Sequence, residues 1–179
     1  MASPWRAEVL ALARPVKVVF LDVDGVLTDG GLYISEAGET LKRFNTLDGH
    51  GLKLLQEAGV VPAVITGRDS PALRHRLSAL GIVHARYGTT QKVPAAESIL
   101  KELQLDWSQA AAMGDDWPDL PMLQRAALAV APPNAHPEVL SRVHAVTTQA
   151  GGHGAVRELC DGVLMARGDY GRLLAQEVG

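Results

Sequence analysis

The feature that most constrains the fold is a short apolar run that ends in two carboxylates. Apart from Lys17, residues 16–21 are apolar, and the next four residues are Asp22, Val23, Asp24 and Gly25. A run of this length, rich in β-branched residues, is typical of a strand buried on both faces of a parallel sheet. Ligands of open α/β sheets bind beyond the carboxyl ends of the strands. Asp22 and Asp24 are therefore predicted to lie at a functional site.

The spacing of the two aspartates indicates what they could bind. Side chains alternate along an extended chain, so Asp22 and Asp24 project to one side while Val23 points into the core. Two carboxylates this close repel each other unless a cation joins them, and Mg²⁺ is a hard ion that prefers oxygen ligands. The same residues also fit an ordinary polar turn after a strand.

The rest of the chain alternates between short apolar segments and segments of helical period. Further strands are predicted at residues 60–65, 82–87, 110–113, 128–131 and 145–147, with helices between them. This alternation implies right-handed crossovers and a mostly parallel sheet with helices on both faces. The length of 179 residues and the absence of a composition break predict one domain over residues 1–179.

Two segments depart from the alternation. Residues 31–45 predict a β-hairpin with Gly38 in its turn, followed by a helix with Asp48 as its N-cap. Residues 149–179 are expected to form a glycine-rich C-terminal tail that carries a closing helix over residues 155–166. The glycines suit either a flexible linker or a loop that completes a site, and we favour the second interpretation.

Composition narrows the possible partners and locations. The net charge of −3 argues against a nucleic-acid surface, which would be basic. The single cysteine, Cys160, cannot form an internal disulfide and is expected to pack in a helix. The apolar stretch over residues 9–13 is too short and too closely bracketed by charges for a signal peptide or membrane span. We expect a cytoplasmic protein with no membrane partner.

Polar residues also follow or precede other elements at the same predicted edge. Thr66 and Gly67 follow the second strand, Lys92 begins a helix, and a later strand ends in a carboxylate group consisting of Asp115, Asp116 and Asp119. Each motif alone fits turn or cap chemistry. Their joint position at one sheet edge is harder to explain in that way and favours a phosphate and metal site.

In this order, the motifs resemble the haloacid-dehalogenase phosphohydrolase superfamily. The resemblance implies a Rossmann-like three-layer α/β sandwich with a hairpin flap and no cap domain. Residues 41–49, 65–68 and 151–158 further resemble the 3-deoxy-D-manno-octulosonate (KDO) 8-phosphate phosphatases, which serve lipopolysaccharide synthesis. Two residues depart from that pattern, namely Leu47, where relatives often carry arginine, and His153 within the glycine segment.

The resemblance implies a role for each site residue. The expected catalytic residues are Asp22 as nucleophile, Asp24 as general acid and base, Thr66 and Lys92. The expected substrate-binding residues are Asp24, Asn45, Gly67, Arg68 and Lys92. Mg²⁺ would be held by Asp22, Asp115 and the backbone carbonyl of Asp24, with Asp116 and Asp119 orienting its waters and Lys92.

The substrate and the assembly are also implied by resemblance. The expected substrate is a sugar-acid phosphate, namely KDO 8-phosphate, and a homotetramer is expected in which a neighbouring subunit completes the pocket. A phosphatase for a sialic-acid-type 9-phosphate fits the same motifs, because they bind phosphate and metal and do not contact the sugar. A receiver-type module switched by phosphorylation is the alternative from another class of protein.

Overall fold

The computed structural model of the protein describes residues 5–178, which form one six-stranded sheet, a separate hairpin and helices on both faces of the sheet. The strands are β1 (Val18–Leu21), β2 (Tyr33–Ser35), β3 (Gly38–Leu41), β4 (Val61–Ile65), β5 (His84–Arg86), β6 (Ala110–Met113), β7 (Leu128–Ala131) and β8 (Ala145–Val146). The helices are α1 (Ala7–Ala13), α2 (Thr46–Glu57), α3 (Pro71–Leu80), α4 (Lys92–Leu103), α5 (Leu120–Leu123), α6 (Pro137–Leu140), α7 (Ala155–Arg167) and α8 (Tyr170–Val178).

The sheet is parallel throughout, with the strand order β5-β4-β1-β6-β7-β8. β1 lies between β4 and β6, so that Leu21 pairs with Val64 on one side and Met113 on the other. All four residues of β1 are buried, as expected for a strand covered on both faces. The predicted three-layer α/β fold is confirmed. Because the strands run in parallel, the residues that follow β1, β4 and β6 meet at one edge.

Two apolar clusters pack against opposite faces of the sheet. One contains Val19 and Leu21 of β1 with residues of α1, α2, α3 and α7, including the buried Cys160. The other contains Val18 and Phe20 of β1 with residues of α4, α5 and α6. The alternating side chains of a single strand therefore join the two halves of the core. Among residues 5–178, no helix is long and apolar enough to cross a membrane.

The start of α2 differs from the sequence prediction. Asn45 is the N-cap, because its Oδ1 accepts a hydrogen bond from the Leu47 N–H at 2.8 Å, and the helix begins at Thr46. The prediction that Asp48 caps this helix was therefore wrong. Asp48 is buried in the first turn, where its Oδ1 accepts the Arg157 N–H at 2.8 Å near the start of α7. Both residue types are good caps, and the tertiary contact with α7 decides between them.

The hairpin is confirmed, although its second strand is shorter than predicted. Gly38 adopts a φ of 96°, which a glycine tolerates, and begins β3 directly after the turn. β3 ends at Leu41, and the side chain of the next residue, Lys42, is buried. The helix predicted after Asp119 is also shorter, since a 3₁₀ turn over Trp117–Asp119 precedes the four-residue α5.

The C-terminal segment is more ordered than a glycine-rich tail. Gly151 and Gly152 are buried against the loop that follows β1, and a Cβ on Gly151 would lie 1.8 Å from the Gly25 carbonyl oxygen. Such a close approach leaves no room for a side chain and does not fit a flexible linker. The predicted closing helix forms as α7, but it does not close the chain. The sequence analysis missed α8, in which Leu173 is buried and Leu174 is exposed.

Candidate active site

A cleft of about 390 Å³ lies at the carboxyl edge of the sheet, beyond β1, β4 and β6. It is lined by nine of the ten site residues expected from the sequence, namely Asp22, Asp24, Thr66, Gly67, Arg68, Lys92, Asp115, Asp116 and Asp119. Asn45 is not among its lining residues. The parallel strands thus bring together residues that are far apart in the sequence.

Lys92 forms a buried bridge between two carboxylates. Its Nζ lies 2.8 Å from Asp22 Oδ1 and 2.5 Å from Asp119 Oδ1, and only 4% of its side chain is exposed. Burial alone would lower the pKa of Lys92, but the two aspartates raise it above its ordinary value. Lys92 is therefore a fixed positive charge beside Asp22. Although it begins α4, where the helix dipole disfavours a cation, the two carboxylates compensate.

Three carboxylates crowd the same end of the cleft. Asp22, Asp115 and Asp119 each offer an oxygen, and these oxygens lie within 4.8 Å of one another. Burial raises the pKa of Asp22 to about 6, and the Asp119 carboxylate adds to the increase while Lys92 opposes it. Burial raises the pKa of Asp115 to about 7, together with the charges of its aspartate neighbours. A divalent cation would relieve this repulsion, so the donor set fits one.

The partners of Asp119 set it apart within this cluster. Its Oδ1 is held by Lys92, and its Oδ2 accepts the backbone N–H groups of Asp115 at 3.0 Å and Asp116 at 3.2 Å. Both of its oxygens are therefore engaged within the protein. Within this cluster, Asp22 and Asp115 are thus freer than Asp119 to contact a ligand, and Asp119 holds the loop that carries Asp115.

The loop after β4 presents groups suited to an anion. Thr66 is buried, and its Oγ1 accepts the Arg68 N–H at 3.2 Å. Gly67 is exposed, and a Cβ there would have only the Thr89 carbonyl oxygen nearby, at 3.9 Å. The Gly67 backbone is therefore open to a ligand. The Arg68 guanidinium extends toward the hairpin, where Nη2 donates to Glu39 Oε2 at 2.7 Å.

Asp24 is held by a residue that the sequence analysis did not identify. Lys42 follows β3, and its Nζ lies 2.5 Å from Asp24 Oδ1 and 2.6 Å from Glu39 Oε1. Burial alone would lower the pKa of Lys42, but its contacts with Asp24 and Glu39 raise it. The contact with Lys42, followed by that with Arg68, lowers the pKa of Glu39. The one feature of the sequence that could have indicated this role is the position of the lysine between the apolar hairpin residues Leu41 and Phe44.

Asn45 and Asn134 support the loops around the cleft. Besides capping α2, Asn45 donates through Nδ2 to the Gly152 carbonyl at 3.4 Å. Asn134 donates to the Gly25 carbonyl at 3.0 Å and accepts the Gly151 N–H at 2.7 Å. Sequence reasoning missed Asn134, because two prolines and an asparagine indicate only a break in the chain.

Comparison with known proteins places this site in a class. Residues 87–159 match the model of the haloacid dehalogenase-like hydrolase family. The 3-deoxy-D-manno-octulosonate 8-phosphate phosphatase of Escherichia coli (strain K12) is 39% identical over 176 residues, which cover 98% of this chain and 94% of that protein. The chain belongs to the haloacid dehalogenase-like hydrolases. Within them it belongs to the family of 3-deoxy-D-manno-octulosonate 8-phosphate phosphatases.

Solved structures of two such phosphatases resemble this one closely. The Moraxella catarrhalis phosphatase, in complex with magnesium, phosphate and KDO, has a TM-score of 0.93 and 34% identity, covering 96% of this chain and 99% of that one. The cobalt-bound Haemophilus influenzae phosphatase has a TM-score of 0.87 and 39% identity, covering 89% of this chain and 93% of that one.

Proposed function

We propose that this protein is a Mg²⁺-dependent phosphatase that hydrolyses KDO 8-phosphate to KDO and inorganic phosphate. The observation that carries this proposal is the 39% identity to a phosphatase of that name over 98% of the chain. The cleft supports it, since it combines a carboxylate pair, a buried lysine and an exposed glycine with open space beside its backbone. Phosphoryl transfer needs positioned groups of this kind.

Asp22 is the proposed nucleophile. One of its carboxylate oxygens attacks phosphorus, the bond to the sugar oxygen breaks, and an aspartyl phosphate forms. Lys92 contacts Asp22 Oδ1 at 2.8 Å, so it fixes the carboxylate and balances charge as the anionic phosphate approaches. Water then attacks phosphorus, which releases phosphate and restores Asp22.

Asp24 is the proposed general acid and base. Its proton passes to the sugar oxygen as that oxygen leaves, and its carboxylate then takes a proton from the attacking water. Its position two residues after Asp22 places both side chains in the cleft. A carboxylate that returns to its starting state after each cycle suits repeated turnover, which distinguishes this enzyme from a receiver-type switch.

Asp22, Asp115 and the Asp24 carbonyl are the proposed ligands of Mg²⁺. When bound, the ion would reduce the electrostatic repulsion between the carboxylate nucleophile and the anionic phosphate. Asp119 holds the Asp115 loop through two backbone N–H groups, and Asp116 lies beside it at the cleft. We assign both to positioning the metal ligands.

The phosphate and sugar contacts complete the proposed site. Thr66, the Gly67 N–H and Lys92 are placed to receive phosphoryl oxygens, and the half-exposed Arg68 suits the sugar-acid carboxylate. Asn45 is engaged in the cap of α2 and with Gly152, so we infer that it acts on substrate binding through the loop that it supports. The cytoplasmic location and the single domain over residues 1–179 stay predictions.

A homotetramer with shared sites is the proposed assembly. The hairpin exposes Leu32 at 48%, Ile34 at 63% and Leu41 at 57%, which is a large apolar surface for a projecting element. Its β2–β3 ribbon also lies apart from the main sheet, so its strand edges can pair with another chain. An assembly with closed rotational symmetry would bury the apolar surface, cover the strand edges and bring a neighbouring subunit over each cleft.

A substrate panel tests the function. The purified enzyme with Mg²⁺ is assayed for phosphate release from KDO 8-phosphate, a sialic acid 9-phosphate and p-nitrophenyl phosphate. We expect kcat/KM for KDO 8-phosphate to exceed both others by at least about 100-fold, because remote substrate contacts raise transition-state binding. A preference for the 9-phosphate would favour the alternative sugar-acid phosphatase. Release of one nitrophenolate per subunit, with the phosphoryl group retained on the protein and no turnover, would favour the switch.

A further inference from the structure

Lys42 of the hairpin places a buried ammonium group beside Asp24, the carboxylate that is proposed to transfer protons. The side chain of Lys42 is 2% exposed, whereas its neighbours Leu41 and Arg43 are exposed. Burying an ammonium is unfavourable unless it is paired, and here Asp24 and Glu39 supply two carboxylates at 2.5 and 2.6 Å. The burial of Lys42 therefore depends on, and fixes, the position of Asp24.

The two oxygens of Asp24 have different surroundings. Oδ1 is held by Lys42, whereas Oδ2 faces the Arg68 Nε at 3.8 Å, which is beyond hydrogen-bond distance. The Arg68 side chain is 44% exposed, and its Nη2 donates to Glu39. Because Asp24 lines the cleft and its Oδ1 is held by Lys42, Oδ2 is the oxygen left for proton transfer.

We propose that Lys42 is a positioning residue that fixes Asp24 Oδ1 so that Oδ2 exchanges protons with the leaving group and with water. The proposal rests on the proposed function, in which Asp24 is the acid and base. No bond to Lys42 forms or breaks. Lys42 donates to Oδ1 throughout, while the proton moves from Oδ2 to the sugar oxygen and later from water to Oδ2.

p-Nitrophenyl phosphate separates the two proton transfers. Nitrophenolate is a good leaving group that departs without a proton, so transfer of its phosphoryl group to Asp22 does not need Asp24. Hydrolysis of the phosphoenzyme still needs Asp24 to take a proton from water. A misplaced Asp24 therefore slows only the second step with this substrate, but both steps with a sugar phosphate.

The first experiment is rapid-mixing kinetics of Lys42→Met with p-nitrophenyl phosphate and Mg²⁺. We expect a burst of about one nitrophenolate per subunit at the wild-type rate, followed by steady turnover that is at least about tenfold slower. For KDO 8-phosphate we expect kcat to fall at least about tenfold without a burst. Lys101→Met, an exposed lysine in α4, is the matched control and should behave like the wild type.

The second experiment is a double-mutant cycle with Asp24→Asn. If Lys42 acts through Asp24, adding Lys42→Met to Asp24→Asn should change the phosphoenzyme hydrolysis rate by less than about twofold. A structural role would instead give losses that multiply. Circular dichroism checks the folding of each variant, and Lys42→Gln replaces Lys42→Met if the methionine is not accommodated.

Three outcomes overturn the proposal. These are an equal loss of burst and steady-state rates, a multiplicative loss in the Asp24→Asn background, and unfolding of both Lys42 variants, which would assign Lys42 to stability. Failure of the proposed function has a different signature. If the wild-type enzyme turns over p-nitrophenyl phosphate but not KDO 8-phosphate, the proposed substrate is wrong. The role of Lys42 is tested separately, by comparing the variants with the wild type on p-nitrophenyl phosphate.

Discussion

Two lysines hold the two aspartates that follow β1, and they reach them from different parts of the molecule. Lys92 comes from α4, within the packed layers, and joins Asp22 to Asp119, which is itself 1% exposed. Lys42 comes from the hairpin and joins Asp24 to Glu39, whose side chains are 22% and 12% exposed. The proposed nucleophile is thus fixed by the core, whereas the proposed acid and base is fixed by an inserted element.

The two aspartates therefore depend on different parts of the structure for their positions. The position of the nucleophile depends on elements that the fold needs in any case, such as β1, β6 and α4. The position of Asp24 depends on a hairpin that pairs with no strand of the main sheet and exposes apolar side chains. Changes in the hairpin should therefore alter proton transfer by Asp24 while leaving the attack of Asp22 on p-nitrophenyl phosphate intact.

The largest effect is expected on the core side, from Asp22→Asn. An amide cannot form the aspartyl phosphate, so turnover of any phosphate ester should fall by at least about 10⁴-fold. The fold should remain, because the substitution preserves shape and removes a crowded charge. Steady-state assays with thermal melting provide the measurement. Activity within about tenfold of the wild type would exclude a covalent role for Asp22.

A comparison of unfolding free energies should distinguish the two lysines. In metal-free buffer at about pH 8, Lys92→Met should destabilise the protein by about 3 to 5 kcal/mol, because it leaves two buried carboxylates without their cation. Lys42→Met should cost about 1 to 3 kcal/mol, because water reaches Asp24 and Glu39 more readily. Urea unfolding monitored by circular dichroism measures both. Equal losses would contradict the proposed difference between core and hairpin.

The acidic cluster should make the metal-free protein sensitive to pH. The pKa of Asp115 is raised to about 7 in the folded protein, above its ordinary value of 3.8. The folded state therefore retains this proton to higher pH than the unfolded state, so stability should fall as pH rises from about 4 through 7. In EDTA, Tm should decrease over this range, whereas Mg²⁺ should restore it at pH 8.

Asp115→Asn provides the control for this pH effect. It should flatten the dependence of Tm on pH in EDTA and also weaken Mg²⁺ binding, because it removes one proposed ligand. Asp119→Asn should weaken Mg²⁺ binding less, since both Asp119 oxygens contact the protein. Calorimetric titration with Mg²⁺ measures the difference. Equal losses of affinity would contradict the assignment of Asp119 as a supporting residue.

The smallest effect on chemistry is expected on the hairpin surface. Ile34 is 63% exposed, and Ile34→Asp should disrupt an assembly that covers the hairpin. Light scattering should then report a lower mass, and kcat/KM for KDO 8-phosphate should fall more than that for p-nitrophenyl phosphate. Val83→Asp changes another exposed residue, 81% accessible, and serves as the control. An unchanged mass for Ile34→Asp would contradict the shared-site assembly.

The surroundings of Asp22 could be predicted from the sequence better than the surroundings of Asp24. Asp22, Thr66, Lys92 and Asp115 lie within two residues of a strand end or at a helix start, and parallel strands bring such positions together. The role of Lys42 depends on a contact with Asp24, 18 residues away, that no local pattern encodes. The cap of α2 was misassigned because Asn45 and Asp48 are both suitable, and only the packing of α7 distinguishes them.

The contact joining Gly25, Asn134 and Gly151 has a consequence for protein synthesis. Asn134 lies 109 residues after Gly25, and the Gly151 N–H completes the bridge from still further along the chain. A nascent chain that has not yet reached Gly151 therefore lacks the support for the loop that follows Asp22. Closing a loop of this length also costs conformational entropy, which slows folding. The onset of phosphatase activity should thus report that translation has passed residue 151 and that the C-terminal region has docked.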